Sequence, residues 1–418
     1  MQKASTNAPS PKVTQSLLKT FSASMEALGP FEKEPHIAVA VSGGMDSLAL
    51  TFLAEAWVRK QNGKLTLFHV NHGLRKASTE EAEKVSKWMK SRGHTVHVLS
   101  WNPSEQPTTR IQERARHARY NLLDRACQKH NILHLLTGHH KDDDIETFLM
   151  RKEKKSSDYG LAGMSRLTYL AHCRLLRPLL SISKKNLETV IEDHPYIEDP
   201  SNKNTSFKRA ALREQGLPHQ NMAPFKEKRQ EDEAYAISFL AKNLALSPFG
   251  YATLLLKDAA DKSITNVQHQ LALGFVIRHI GQTDYLPRLE DVQTVLDSKN
   301  TCCIGSTVIY KYQNKIWITP DMRLLPKTML KQGTHFVWQR YTVQTDHLTT
   351  IAPLGEKGWA QVKPHVQSDL PLFTLKTLPT FWQNETVYCV PFLPFSNSKN
   401  QLKIQYTPKK SILAEFFV

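Results

Sequence analysis

No apolar run in the 418-residue chain approaches the ~20 residues that a membrane-spanning helix needs, so a soluble protein is expected. Five cysteines (Cys127, Cys173, Cys302, Cys303 and Cys389) form no C-x-x-C pair and no metal-ligand spacing. That excludes a zinc site or disulfide framework of the usual kinds and suits a reducing compartment. Residues 1–35 contain no apolar core of a secretory signal, and the absence of arginine there argues against a transit peptide. Acids are under-represented: 39 Asp and Glu against 55 Lys and Arg give a net charge of +16 and a pI near 9.5. Such an excess fits a polyanionic partner, nucleic acid before a membrane surface. No internal repeat is visible, and the length favours two or three domains over one core.

What is present is organised around His36-Ile-Ala-Val-Ala-Val-Ser-Gly-Gly-Met-Asp-Ser47. The apolar run Ile37–Val41 has the character of a buried parallel strand and ends directly on Ser42-Gly43-Gly44. Consecutive glycines let several backbone N–H groups point at one anion. A helix opening at Asp46 and Ser47 adds its positive N-terminus to the same spot. Strand, turn and helix start together describe a phosphate cradle. It is not a Walker A loop, because no Gly-Lys-Ser/Thr follows.

Around this cradle the pattern alternates. Strands are expected at Leu65–Val70, Val96–Leu99 and Ile132–Thr137, and helices at Ser78–Ser91 (Ser78 as N-cap), Arg110–His130 and Asp142–Lys152. Repeated βα units predict a doubly wound parallel sheet, with ligands beyond the carboxyl ends of its strands. Four regions fall on that edge: Ser42–Ser47, Asn71–Arg75, Ser100–Arg110 and Gly138–Glu146. Val13–Leu28 is a candidate amphipathic helix within an N-terminal extension, 1–35. Past Leu161 a loop-rich tail is expected. A helical segment then covers 216–300, with Glu231–Leu244 and Val267–His279 clearest. A β-rich region, 301–418, opens with a hairpin turning at Gln313-Asn314.

Two clusters carry chemistry. In His140-Lys-Asp-Asp143-Asp144-Ile-Glu146, Asp143 and Glu146 share one side of a helix. They could bind an ammonium group, take its proton or hold Mg²⁺, or simply favour a helix N-terminus. Arg116 and Arg119 share a face of the Arg110–His130 helix and suit phosphate or carboxylate, or else pair at the surface with Glu113. His69 and His72 lack a third metal ligand and are read as strand-end polar residues.

These stretches occur in one order with Val70-Asn-His-Gly-Leu-Arg75, Ala115-Arg116-His-Ala-Arg119-Tyr120, Gly160-Leu-Ala-Gly-Met164, Arg177-Pro178-Leu179 and Glu198-Asp-Pro-Ser-Asn202. Together they resemble the tRNA(Ile)-lysidine synthetases, PP-loop enzymes, strongly over about 36–215 and loosely beyond. The resemblance implies an adenine nucleotide alpha hydrolase-like catalytic domain over 36–215, a helical tRNA-binding domain over 216–300 and the β-rich region after it. It implies a cytoplasmic ligase that uses ATP and Mg²⁺ to join L-lysine to the wobble cytidine of the isoleucine tRNA bearing a CAU anticodon, releasing AMP and pyrophosphate. Ser42, Gly43, Gly44, Met45, Asp46, Ser47 and His140 would then hold the nucleotide. Asp143 and Glu146 would grip lysine, Asp46 and Arg116 would serve the reaction, and Arg75, Arg119, Arg209 and Arg213 would hold phosphate or tRNA. No protein-held metal cage is implied, and the oligomeric state stays open, a homodimer included. Other PP-loop tRNA-modifying activities and a non-catalytic basic RNA-binding protein are the alternatives. One departure stands out: Lys154-Lys155-Ser156-Ser157 occupies the place of the family's Arg-Gly-Ser-Gly.

Overall fold

The computed structural model describes residues 13–71, 73, 77–101, 111–192, 194–198, 212, 217–218, 220–255, 267–331, 333–345, 348–396, 402–407 and 415–416. The chain divides into two compact units between Gln230 and Glu231, and Glu415 and Phe416 return to the first.

The first unit opens with α1 (Gln15–Ala27), whose first turn is capped by Thr14 accepting from the Leu17 N–H at 3.2 Å. Then come β1 (His36–Ala40), α2 (Met45–Lys60), β2 (Lys64–Asn71), α3 (Ala77–Lys90), β3 (Val96–Ser100), α4 (Ile111–Lys129), β4 (His134–Leu136), α5 (Lys141–Glu153) and the short α6 (Asp158–Leu161). β5 (Leu167–Tyr169), β6 (Arg174–Leu176) and α7 (Lys184–Ile191) follow. The sheet runs β5-β6-β4-β1-β2-β3, parallel from β6 to β3, with β5 antiparallel and the two-residue strand Glu415–Phe416 on its outer edge.

Alternation along the strands fills both faces. Ile37, Val39, Leu67, Leu136 and Leu176 pack with α1, α2 and α7. Their neighbours Ala38, Phe68, Leu135 and Leu175 pack with Leu123, Ala126 and Cys127 of α4. Each fully buried side chain of this size contributes about 1.5–3 kcal/mol of burial. This two-sided burial is why the strands are continuous apolar runs.

Several expectations need correction. α1 is not an extension separate from the catalytic fold: Leu17, Phe21, Met25 and Leu28 belong to the core around α2. Arg174 of β6 binds the chain after α1 through the carbonyls of Leu28, Gly29 and Pro30. Ser78 is not an N-cap, because α3 already includes Ala77. The expected loop-rich tail past Leu161 contains β5 and β6, strands too short to show a period. α8 (Ala223–Asn243) begins eight residues before the helix expected at Glu231, with Pro224 tolerated in its first turn.

In the second unit a boundary at 300 would cut through one sheet. β7 (Leu244–Leu246) and β8 (Ala252–Leu255) pair antiparallel with β9 (Cys302–Ile304), β10 (Thr307–Tyr312) and β11 (Lys315–Pro320), in the order β7-β8-β11-β10-β9. Helices Val267–Gly281 and Leu289–Asp297 lie between the two parts of this sheet in sequence. The β10–β11 hairpin turns at Gln313 and Asn314, both at positive φ, between the paired Tyr312 and Lys315, as a type I′ turn requires. The rest forms a five-stranded and a three-stranded antiparallel sheet. Among the described residues no helix is long and apolar enough to cross a membrane.

Candidate active site

The loop after β1 is braced from within. Ser47 Oγ accepts from the Ser42 N–H at 3.1 Å, donates to the Gly44 carbonyl at 2.9 Å and receives the Ser42 hydroxyl at 3.1 Å. Ser47 is therefore buried scaffolding for the loop. Gly43 has φ +90°, and a Cβ there would lie 2.5 Å from Val85 Cγ2 and 2.7 Å from Ile197 Cδ1, so no other residue fits without displacement. The N–H groups of Gly43, Met45 and Asp46 meet no protein acceptor among the described residues, and α2 starts on this spot with Gly44 as N-cap. Open donors at a helix N-terminus suit an anion.

The β4–α5 connection presses against that loop. A Cβ on Gly138 would stand 3.2 Å from the backbone of Asp46 and Ser47, so the bare glycine permits the approach. Two residues on, His140 is buried with Nε2 at 3.5 Å from both Asp46 Oδ1 and Asp143 Oδ2. Burial alone would lower the His140 pKa, but the close approach of Asp46 and the charges of Asp143, Asp46 and Asp142 raise it overall. Asp143 Oδ2 also accepts the His140 backbone N–H at 3.0 Å, as the third residue of α5 reaching back over the helix start. Three predicted site residues, Asp46, His140 and Asp143, thus form one cluster. Asp46 Oδ1 is buried and has no aligned hydrogen-bond donor among the described residues.

The two predicted lysine-binding acids differ in access. Asp143 keeps 13% of its side chain exposed, whereas Glu146 is fully buried. Between them Asp144 accepts from the Met164 N–H at 2.6 Å and pairs with Lys226 Nζ at 2.7 Å, which ties α5 to α8. Asp144 is structural, a role hidden in sequence because its partner lies 82 residues away.

On α4, Arg116 and Arg119 place their guanidinium carbons 5.0 and 5.1 Å from the Tyr120 ring centroid, and neither pairs with a described acid. Arg177, directly after β6, donates to the Ser165 carbonyl at 2.7 Å and to Thr168 Oγ1 at 2.9 Å. Arg75, Arg209, Arg213 and His72 lie outside the described residues. His69 is no metal ligand: its Nδ1 meets the Val41 carbonyl at 2.9 Å inside the sheet. No group of three or more His, Cys, Asp or Glu able to cage a metal occurs among the described residues. A divalent ion here would depend on one or two carboxylates and phosphate oxygens, the way Mg²⁺ is usually held.

Residues 10–220 match the PP-loop domain family. The tRNA(Ile)-lysidine synthase of Orientia tsutsugamushi (strain Boryong) is 40% identical over 46% of this chain and 44% of its own length. That of Rickettsia bellii (strain OSU 85-389) is 31% identical over 74% of this chain and 76% of its own. The chain belongs to the tRNA(Ile)-lysidine synthase family. The synthase of Rickettsia akari (strain Hartford), 28% identical, extends the similarity to 89% of this chain and 93% of its own.

Membership gives the departure at 154–157 a physical meaning. Lys155 adopts φ +53° directly after α5, where the family's motif has glycine. The Lys155 and Ser156 N–H groups bond the Lys152 and Arg151 carbonyls, so the helix end keeps a left-handed cap with a lysine in the strained position.

Proposed function

We propose that this chain joins lysine to C2 of the wobble cytidine of the CAU-anticodon isoleucine tRNA in two steps. In the first, O2 of the base attacks the α-phosphorus of ATP and pyrophosphate leaves, giving an adenylated base. In the second, the lysine amine attacks C2, loses a proton, and AMP leaves. The observation that carries this reading is the contact of the braced Ser42–Ser47 loop with the His140–Asp143 helix start at one sheet edge.

The open N–H groups of Gly43, Met45 and Asp46 are suited to the polyphosphate, and the bracing of their loop by Ser42 and Ser47 lets them stabilise charge as it develops on the leaving pyrophosphate. Mg²⁺ fits beside them: Asp46 supplies a buried oxygen without an aligned donor, and a bound Mg²⁺ would neutralise phosphate charge. His140 links the two halves by holding Asp46 and Asp143 on one imidazole, so the nucleotide loop and the acid helix keep a fixed spacing. Asp143 takes the lysine ammonium, and the buried Glu146 backs it on the same helix side. Arg116 and Arg119, with Arg75, Arg209 and Arg213, hold phosphate or tRNA, in keeping with the net charge of +16. Residues after 216 supply much of the tRNA contact. The reaction belongs in the cytoplasm, where its substrates are.

The test is the fate of the nucleotide. With tRNA, lysine, Mg²⁺ and ATP, release of AMP and pyrophosphate is expected, because the loop lacks the Walker lysine that serves a γ-phosphate. ADP and inorganic phosphate without AMP would overturn the reading.

A further inference from the structure

We infer that Tyr120 is a positioning residue whose ring holds the Arg116 and Arg119 guanidinium groups of α4 in place. The inference rests on the role given above to those arginines. Tyr120 is anchored from below: it packs against the core cluster of Phe68, Leu123 and Leu135, which Ala40 of β1 and Val70 of β2 also cover. From there the same ring meets both cations, at 5.0 and 5.1 Å from its centroid.

The geometry assigns the work to the ring. The phenolic oxygen is buried and has no aligned hydrogen-bond partner among the described residues. Burial raises the phenol pKa, yet the charges of Arg119, Arg177 and Arg116, with a poorly aligned Arg119 approach to the hydroxyl, lower it overall. Arg177 is buried and fixed by Ser165 and Thr168. Arg116 and Arg119 have no described acid to neutralise them, and their mutual repulsion would spread them into solvent. The negative π face of Tyr120 is the feature that opposes this. Two permanently charged donors held on one ring, without an acid partner among the described residues, are primed for a phosphate-rich ligand and lose little freedom on meeting it.

The experiment replaces Tyr120 with phenylalanine and with a series of increasingly fluorinated phenylalanines in the full chain. Ring size barely changes along the series while the π face weakens. Both lysidine formation (kcat/KM for the tRNA) and filter-binding affinity for the same tRNA are measured. Tyr120→Phe should stay within about twofold of wild type, and the fluorinated rings should lose both quantities progressively, to roughly tenfold. The loss should vanish when Arg116 and Arg119 are both alanine. A flat fluorine series, a loss in Tyr120→Phe equal to that of the most fluorinated ring, or a loss that survives removal of both arginines would overturn the inference. Were the wild type to bind the tRNA but make no lysidine, the functional reading would fail, and the binding series would still decide the role of the ring.

Discussion

Replacing Asp143 by asparagine separates its two roles. Asp143 Oδ2 accepts the His140 backbone N–H at 3.0 Å and lies 3.5 Å from the buried imidazole. An asparagine carbonyl keeps the first contact, because an amide caps a helix about as well as a carboxylate. The variant loses one negative charge beside the N-terminus of α5, a loss of about 0.3–1 kcal/mol, and part of its attraction to His140. The folded protein should therefore be destabilised by only about 1 kcal/mol in urea unfolding. Function should respond more. A charge-assisted hydrogen bond to an ammonium is worth roughly 1.5–3 kcal/mol, about ten- to over a hundredfold in lysine-dependent turnover. Adenylation of the tRNA without lysine should stay near wild type. The paired assays are pyrophosphate release without lysine and lysine incorporation with it. Unchanged lysine kinetics would reduce Asp143 to a helix cap. Loss of adenylation alone would move it to the nucleotide or to Mg²⁺.

Lys155→Gly should stabilise the protein by about 1 kcal/mol, since glycine adopts φ +53° without the cost that a Cβ brings; an unchanged or lowered urea midpoint would refute this. Glu55 is held near a pKa of about 2, against an ordinary 4.5, chiefly by His94 and also by Arg92, despite its partial burial. A carboxylate with a depressed folded pKa adds stability above its unfolded value, and loses it as pH falls from about 4.5 toward 2. Glu55→Gln should thus cost about 1–2 kcal/mol at pH 7, allowing for solvent screening, and progressively less below pH 4.5; a pH-independent difference would contradict the assignment. tRNA affinity should fall steeply with salt, since each neutralised phosphate releases about 0.7–0.9 counterion, and a flat response between low and moderate salt would leave the +16 charge without a function.

Legibility in the sequence follows physical strength of signal. β1, β2 and β4 are buried on two faces, so their apolar runs stand out, and Ser42–Ser47 shows its cradle because glycine and helix-start chemistry are local. The type I′ turn at Gln313-Asn314 was legible for the same reason. β5 and β6 were not: each has three residues, less than any recognisable period. The joining of Leu244–Leu255 to the sheet of Cys302–Pro320 is not legible either, since strand pairing across such a separation leaves no local mark. In the site, Asp46, His140 and Asp143 each sit in a legible local motif, but their meeting on one imidazole depends on the fold. The structural role of Asp144 and the ring of Tyr120 depend on contacts with Lys226 and with two arginines, and composition does not announce them.

The most direct measurement is mass spectrometry of nucleosides from the CAU-anticodon isoleucine tRNA after incubation with the full chain, ATP, Mg²⁺ and isotopically labelled lysine. A labelled cytidine derivative heavier by one lysine residue, formed only when ATP is present and confined to the wobble position, is the expected result. An unmodified wobble cytidine with AMP still released, or incorporation of label at another nucleoside, would contradict the assignment.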